Sequence, residues 1–214
     1  MHTVILANGT PPTLDLVRHI ANSADMLICA DGGARAALMA QLRPAWVVGD
    51  LDSLDADDLD NLVRLGAVIQ RYPVRKDETD LELALRHAVK QGATRITILG
   101  ALGGRVDQLL ANILLLALPA LREIPTRILD EEQEIQLITS QGVIHGRVGD
   151  VVSLVPIGGD AIGVETEGLE WALGGSTLVF GPARGISNTM TAPMATVKVK
   201  SGLLLAIRLL RITH

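Results

Sequence analysis

The first hundred residues alternate short apolar runs with helical patterns, and no other feature narrows the fold so far. TVILA (3–7), DMLICA (25–30), AWVVG (45–49), AVIQRY (67–72) and RITILG (95–100) read as strands, with helices expected near 12–22, 34–41, 56–65 and 79–91. Near-continuous apolar strands separated by helices belong to a parallel sheet covered on both faces. The helix at 79–91 opens on a capping box, Thr79 to Glu82, sets Leu81, Leu85 and Ala88 on one face and stops at Gly92. After Pro125 the texture changes: TRILD, EIQLIT, VVSLVPI, STLVF, ATVKVK and LLLAIRLL alternate in strand fashion between turn signals such as GGD and GG. The expected fold is α/β: a doubly wound, mostly parallel sheet with helices on both faces over 1–125, then an antiparallel β-sandwich over 126–214. With aromatics at 2%, both cores must be aliphatic.

In an open parallel sheet, ligands bind beyond the carboxyl ends of the strands, where strand order reverses. Four of the five strands end in polar or glycine-rich turns: NGT (8–10), DGG (31–33), GDLDS (49–53) and GALGGR (100–105). If GDLDS stays extended, Asp50 and Asp52 project to the same side, and two carboxylates so placed call for a hard cation between them. The other reading is a solvated acidic surface, since residues 50–60 hold six aspartates and Asp55 can cap the next helix. Asp80, at the mouth of the capped helix, either completes a cation site or only favours the helix dipole. Gly32-Gly33 and Gly103-Gly104 either let backbone N–H groups approach phosphate or make ordinary tight turns. Neither pair fits the dinucleotide fingerprint, and no Walker-type loop occurs. In VRKDETD, Arg75 and Lys76 could meet phosphate; Arg105 and Asp107 form either a helix-start ion pair or a nucleotide clamp.

Several classes of function are disfavoured. A net charge of −5 argues against a basic nucleic-acid surface, and the scarcity of rings argues against stacking on single strands. The one cysteine, Cys29, precludes a disulfide within the chain and a cysteine-based zinc site, and the histidines lack ligand spacing. The apolar part of MHTVILANG is too short for a secretory signal. LLANILLLALPAL, the longest apolar stretch, is too short to span a bilayer. A cytoplasmic protein without membrane partners is expected.

Taken in order, ADGGARAAL, VVGDLDSL, KDETDLELAL and ILGALGGRVDQLLAN resemble the blocks of thiamine pyrophosphokinase (thiamine diphosphokinase), and GLEWAL, GISNT and SGLLLAI extend the likeness to the C-terminal part. The resemblance implies transfer of a diphosphate group from ATP to the thiamine hydroxyl, releasing AMP, in a homodimer with active sites at the subunit interface. It implies that Asp50, Asp52 and Asp80 hold Mg2+ and act in catalysis. Asp31, Lys76, Asp77, Arg105 and Asp107 would line the ATP site, with Asn8 and the pairs Gly32-Gly33 and Gly103-Gly104. Ser187 and Asn188 would lie near thiamine, with Trp171 as a ring for its pyrimidine. Family members often carry histidine where this chain has Gln108, and TMTAPMA after Asn188 offers Met190 and Met194 but no aromatic residue. A diphosphokinase of a pterin alcohol would share the aspartates, and a non-catalytic nucleotide or thiamine sensor is a reading of a different class.

Overall fold

Strand β1 (His2–Leu6) is buried along its whole length, as the apolar run TVIL requires of a strand with neighbours on both sides. A computed structural model describes residues 1–210. Residues Met1–Asp130 form one compact unit and those from Glu131 a second; the stretch expected as 126–214 thus runs past the described residues.

In the first unit, β1 is followed by α1 (Leu14–Ala21), β2 (Met26–Ala30), α2 (Gly33–Met39), β3 (Trp46–Gly49), α3 (Ala56–Arg64), β4 (Val68–Arg71), α4 (Asp80–Lys90), β5 (Arg95–Leu99), α5 (Val106–Leu114) and β6 (Thr126–Leu129). The strands pair in parallel in the order β4-β3-β2-β1-β5-β6. The chain thus steps outward from β1 to β4, then returns to the other side of β1. With right-handed crossovers, that reversal puts helices on both faces and opens a crevice beyond the ends of β1 and β5. Helix α4 begins where the capping box placed it: the Thr79 hydroxyl accepts the Glu82 N–H at 3.2 Å. Its apolar face, Leu81, Ala84, Leu85 and Ala88, is buried, and it packs on β1, β2 and β3. Asp55 caps α3 in the same way, accepting the Asp58 N–H at 2.8 Å.

TRILD corrects one expectation. Instead of opening the antiparallel part, Thr126–Leu129 adds a sixth parallel strand, with Ile98 opposite Ile128. A four-residue alternating run carries no information about direction, and only the neighbour it meets decides it.

His87, on the buried face of α4, is 8% exposed, and its ring centroid lies 4.2 Å from that of Trp46. Burial holds its pKa below the ordinary 6.5, with Lys90 adding to the effect. Burial also lowers His2, against a hydrogen bond to the Ser23 carbonyl that works the other way. A histidine whose folded pKa is depressed leaves stability intact above the unfolded value. Stability is lost as pH falls below about 6.5 toward the folded pKa, because the unfolded chain then binds more protons. Melting temperature is therefore expected to drop between about pH 6.5 and pH 5, and His87→Gln should flatten the decline. An unchanged slope in that variant, followed by tryptophan fluorescence, would refute the assignment.

The second unit is antiparallel. Its strands are β7 (Gln133–Ile138), β8 (Gln141–His145), β9 (Val151–Glu167), β10 (Gly174–Leu178), β11 (Asn188–Thr189), β12 (Met194–Lys198) and β13 (Ser201–Leu209). The first half of β9 pairs with β13, which pairs with β7; the second half pairs with β12 and β10, and β12 pairs with β8. GGD, expected as a turn, is a bulge inside β9. Five residue steps, Ile157 to Ile162, oppose two on β13, Leu203 to Ser201. Gly158 and Gly159 take φ of +69° and +141° there, which only glycine adopts cheaply, and the bulge lets one long strand serve both sheets. The two sheets enclose an aliphatic core that includes Ile138, Val152, Leu154, Val164, Val197 and Leu204. Among the described residues, no helix is long and apolar enough to cross a membrane.

Candidate active site

The loops after β1 and β5 continue the strand pairing beyond the sheet: the Ala7, Gly9 and Thr10 amides donate to the carbonyls of Leu99, Gly100 and Leu102 at 2.8, 2.7 and 3.0 Å. A Cβ on Gly9 would sit 2.5 Å from the Gly100 oxygen, so close backbone approach dictates this glycine. Beside the zipped loops, at the reversal of strand order, lies a cleft of about 620 Å³. Asn8 and Thr10 line it from the β1 loop, Gly103, Gly104 and Arg105 from the β5 loop, and Asp31, Lys76 and Asp80 from the opposite side.

Three carboxylates meet here, two of which, Asp31 and Asp80, line the cleft. Asp31 follows β2, Asp50 follows β3, and Asp80 is the first residue of α4; one oxygen from each lies within 4.8 Å of the others. Asp31 is held in a left-handed conformation, φ +44°, and is 5% exposed. Gly49 makes the convergence possible. A Cβ there would lie 3.0 Å from Asp80 Oδ1 and 3.1 Å from the Asp31 Cβ, and its φ of +152° suits glycine.

Lys76 Nζ stands 3.1 Å from Asp50 Oδ2 and 3.0 Å from Asp80 Oδ1. The second contact is a charge pairing without an aligned hydrogen bond, so Asp80 Oδ1 is buried beside an ammonium but without a hydrogen-bond donor; Asp31 Oδ1 is also buried without a donor. Burial raises the Asp80 pKa, and Asp50 and Asp31 add to the rise against the opposing pull of Lys76. At Asp50 the hydrogen bonds from Lys76 and the Asp52 amide outweigh burial and lower the pKa. At Lys76 the neighbouring carboxylates of Asp80 and Asp50 outweigh burial and raise it. Three carboxylates thus face one ammonium, and a buried oxygen with no donor costs free energy until something cationic meets it. Hard oxygen donors with surplus negative charge fit a divalent cation of the magnesium type.

Asp52 is not part of the cluster. Leu51 takes φ +67°, so the chain turns instead of remaining extended, and the premise that residues 50 and 52 share a side does not hold. Asp52 is exposed, donates its amide to Asp50 Oδ1 at 3.3 Å and accepts from Ser53 Oγ at 3.3 Å. Asp31 occupies the third corner, brought there by β2 lying next to β3.

Gly32 and Gly33 have a different reason to be glycine than phosphate approach. A Cβ on Gly33 would be 2.1 Å from the Leu6 carbonyl, and one on Gly32 would be 2.4 Å from Asn8 Oδ1. Asn8 in turn donates to Ser53 Oγ at 3.1 Å and lies 3.5 Å from Asp31 Oδ2, tying three strand-end loops together. Asp77 is exposed and does not line the cleft. Arg105 and Asp107 form the helix-start pair, at 3.1 and 2.6 Å, and of the two only Arg105 lines the cleft. Gln108, from the first turn of α5, lines it too. Gly49, Thr10 and Ser53 were not singled out from the sequence, although each sits in a strand-end turn that was.

In the second unit, Trp171, Ser187 and Asn188 come together. Residues 168–170 run antiparallel to 189–191, with Glu170 N–H on the Thr189 carbonyl and Thr191 N–H on that of Gly168, both at 2.9 Å. The Asn188 amide is fully committed to backbone: Oδ1 accepts from the amides of Trp171 and Thr189 at 3.0 and 2.9 Å, and Nδ2 donates to the Trp171 carbonyl at 2.8 Å. Asn188 therefore clips the Trp171 loop in place, while the Trp171 side chain and Ser187 face solvent. Ser187 is held at φ +59°, its amide on Ser153 Oγ at 3.1 Å. Met190 is buried in the core, whereas Met194 is half exposed.

Comparison with known proteins matches two family descriptions in tandem: "Thiamin pyrophosphokinase, catalytic domain" over residues 17–128 and "Thiamin pyrophosphokinase, vitamin B1 binding domain" over 132–204. Thiamine pyrophosphokinase 1 of Arabidopsis thaliana is 32% identical over 86% of this chain and 78% of its own. Thiamine pyrophosphokinase of Bacillus subtilis is 27% identical over 97% of this chain and 99% of its own. The crystal structure of thiamin pyrophosphokinase from Geobacillus thermodenitrificans superposes with a TM-score of 0.85 at 27% identity, covering 100% of this chain and 99% of that one.

Proposed function

The chain belongs to the thiamin pyrophosphokinase family, and from that membership we infer that it transfers the diphosphate of ATP to the hydroxyl of thiamine, giving thiamine diphosphate and AMP. The observation that carries the reading to this chain's own residues is the carboxylate cluster of Asp31, Asp50 and Asp80, with surplus negative charge, at the reversal point of the sheet.

In this reaction the thiamine oxygen bonds to the β-phosphorus while the bond from that phosphorus to the α-bridging oxygen breaks, and the hydroxyl proton leaves with solvent or a carboxylate. Catalysis is then positioning and charge compensation. Asp31, Asp50 and Asp80 would hold a magnesium ion, which supplies positive charge to the phosphates when bound. Lys76 and Arg105, both on the cleft, meet phosphate oxygens. Asn8, Gly103 and Gly104 shape the wall against which the triphosphate lies. Asp52, on the exposed side of the cluster, reaches this group only through Asp50 and Ser53.

Trp171 and Ser187 present thiamine's contact surface, and Asn188 positions the first of them. Asn188→Ala is expected to raise KM for thiamine about tenfold or more and leave KM for ATP unchanged, because the hydrogen bonds it removes all go to the Trp171 and Thr189 backbone. Equal rises in both constants would argue against that role.

The protein acts as a homodimer in the cytoplasm, where ATP is available. The apolar stripe Val106, Leu110 and Leu114 supports assembly: these residues lie one turn apart along α5 and are 67%, 54% and 53% exposed. Light scattering at micromolar concentration tests it, and a monomer would refute it.

Activity is tested by incubating the protein with ATP, magnesium and thiamine. Thiamine diphosphate and AMP in equal amounts are expected. ADP with thiamine monophosphate would overturn diphosphate transfer, binding without AMP would mark a sensor, and indifference to thiamine would direct the search to pterin alcohols.

A further inference from the structure

Lys76 does more in this cluster than line a nucleotide cleft. It reaches in from the loop before α4, its side chain only 10% exposed, and stands 3.0–3.1 Å from oxygens of two of the three carboxylates proposed to hold the cation. An ammonium and a divalent cation cannot both stay in contact with the same two carboxylates without strong like-charge repulsion. Resting on the metal reading above, we propose that Lys76 is the resident counter-ion of the metal-free site, and that entry of the divalent cation displaces its ammonium into the cleft to pair with the phosphates that arrive.

The physical case has three parts. Without Lys76 three buried or half-buried carboxylates would face one another with no cation, so the metal-free fold needs the ammonium there. The lysine stem is long and flexible, and its head is a compact charge able to change partners without rebuilding the loop. The ammonium also already borders the cleft, so its displaced position lies beside where a triphosphate would sit. The consequence is linkage. Free cation must pay to expel an ammonium that then has no partner, whereas cation arriving with nucleotide supplies the ammonium with phosphate oxygens. The site therefore takes the metal–nucleotide complex in preference to the bare ion.

The test is manganese binding, followed by electron paramagnetic resonance, with and without a non-transferable ATP analogue, on the wild-type protein and on Lys76→Met. Wild type is expected to bind Mn2+ weakly alone and much more tightly with the analogue. Lys76→Met should bind Mn2+ alone at least about tenfold more tightly than wild type and gain less from the analogue. In the absence of metal it should melt lower than wild type and recover on adding Mn2+. Lys76→Gln serves if the methionine variant does not fold, and Lys76→Arg, which keeps the charge, should remain weak for Mn2+ alone. Equal Mn2+ affinity in wild type and the uncharged variants would overturn the exchange while leaving the metal site standing. Failure of every protein to bind Mn2+ even with the analogue would overturn the metal reading, and the exchange with it.

Discussion

Asp31→Asn is expected to raise the melting temperature of the metal-free protein while lowering kcat/KM about a thousandfold. The stability gain follows from what Asp31 lacks. Its carboxylate is 5% exposed, Oδ1 has no donor, and the Asn8 amide stands at a long 3.5 Å from Oδ2. One of its oxygens meanwhile lies within 4.8 Å of two further carboxylates that share a single lysine. An asparagine removes one of three repelling charges and offers an N–H group to Asp80 or Asp50. It also costs nothing in backbone strain, since asparagine tolerates the left-handed conformation that residue 31 adopts, φ +44°. A gain of about 1 kcal/mol, or about 2–4 °C, is the expected scale. The activity loss follows from the same chemistry: weakening the hold on the cation removes several kcal/mol of charge compensation from the transition state, and about 4 kcal/mol is a thousandfold. Calorimetry without metal and initial rates with saturating magnesium separate the two effects. A variant that is both less stable and fully active would refute the picture of Asp31 as a ligand held in an unfavourable state.

The fold was legible wherever local signals and the buried pattern agreed. Thr79 and Asp55 cap α4 and α3 as their spacing indicated. The apolar runs β1, β2, β3 and β5 became parallel strands whose buried residues are covered on both faces. Two features were illegible for one shared reason: a short segment does not encode its partner. TRILD pairs in parallel with β5, and Gly158-Gly159-Asp160 bulges within β9, yet each local sequence serves a strand of opposite direction or a hairpin turn as well.

At the site, the strand-end turns were legible as a set: Asp31, Lys76, Asp80 and Arg105 line one cleft, and Asp50 joins Asp31 and Asp80 in the carboxylate cluster. Membership in the carboxylate cluster was not, because it depends on one dihedral. Leu51 in the left-handed region turns Asp52 outward, and nothing about leucine announces that conformation. Gly49 and Gly33 look alike in sequence, but one clears space for two carboxylates and the other for a helix against a strand. Asn188 read as a ligand contact, whereas its three backbone hydrogen bonds make it a clip, a distinction that requires knowing where residue 171 lies.

The second large effect is structural and lies in the second unit. Arg208 on β13 places its guanidinium 3.1 Å from Asp150 Oδ2 and 2.6 Å from Glu134 Oε2, with side-chain exposures of 16%, 2% and 16%. The register explains the meeting: Arg208 pairs with Glu134 on β7 and with Val152 on β9, two residues beyond Asp150. Removing the arginine takes the cation away from Asp150, a carboxylate 2% exposed with almost no water to turn to. Arg208→Met is expected to destabilise by about 3–5 kcal/mol, a fall in Tm of about 10 °C. Adding Asp150→Asn to that variant should recover a large part, since the neutral amide oxygen can still accept the Arg147 N–H that Asp150 Oδ2 now takes at 2.9 Å. The measurement is thermal unfolding of both variants with far-ultraviolet dichroism. If the double variant melts no higher than the single one, the loss comes from packing of the arginine stem, and the ion cluster contributes little. Recovery would instead show that the charge at Asp150 is what Arg208 is there to neutralise. It would also set Asp150 beside Asp50 and Asp80 at the cleft, carboxylates that each have a cation held against them.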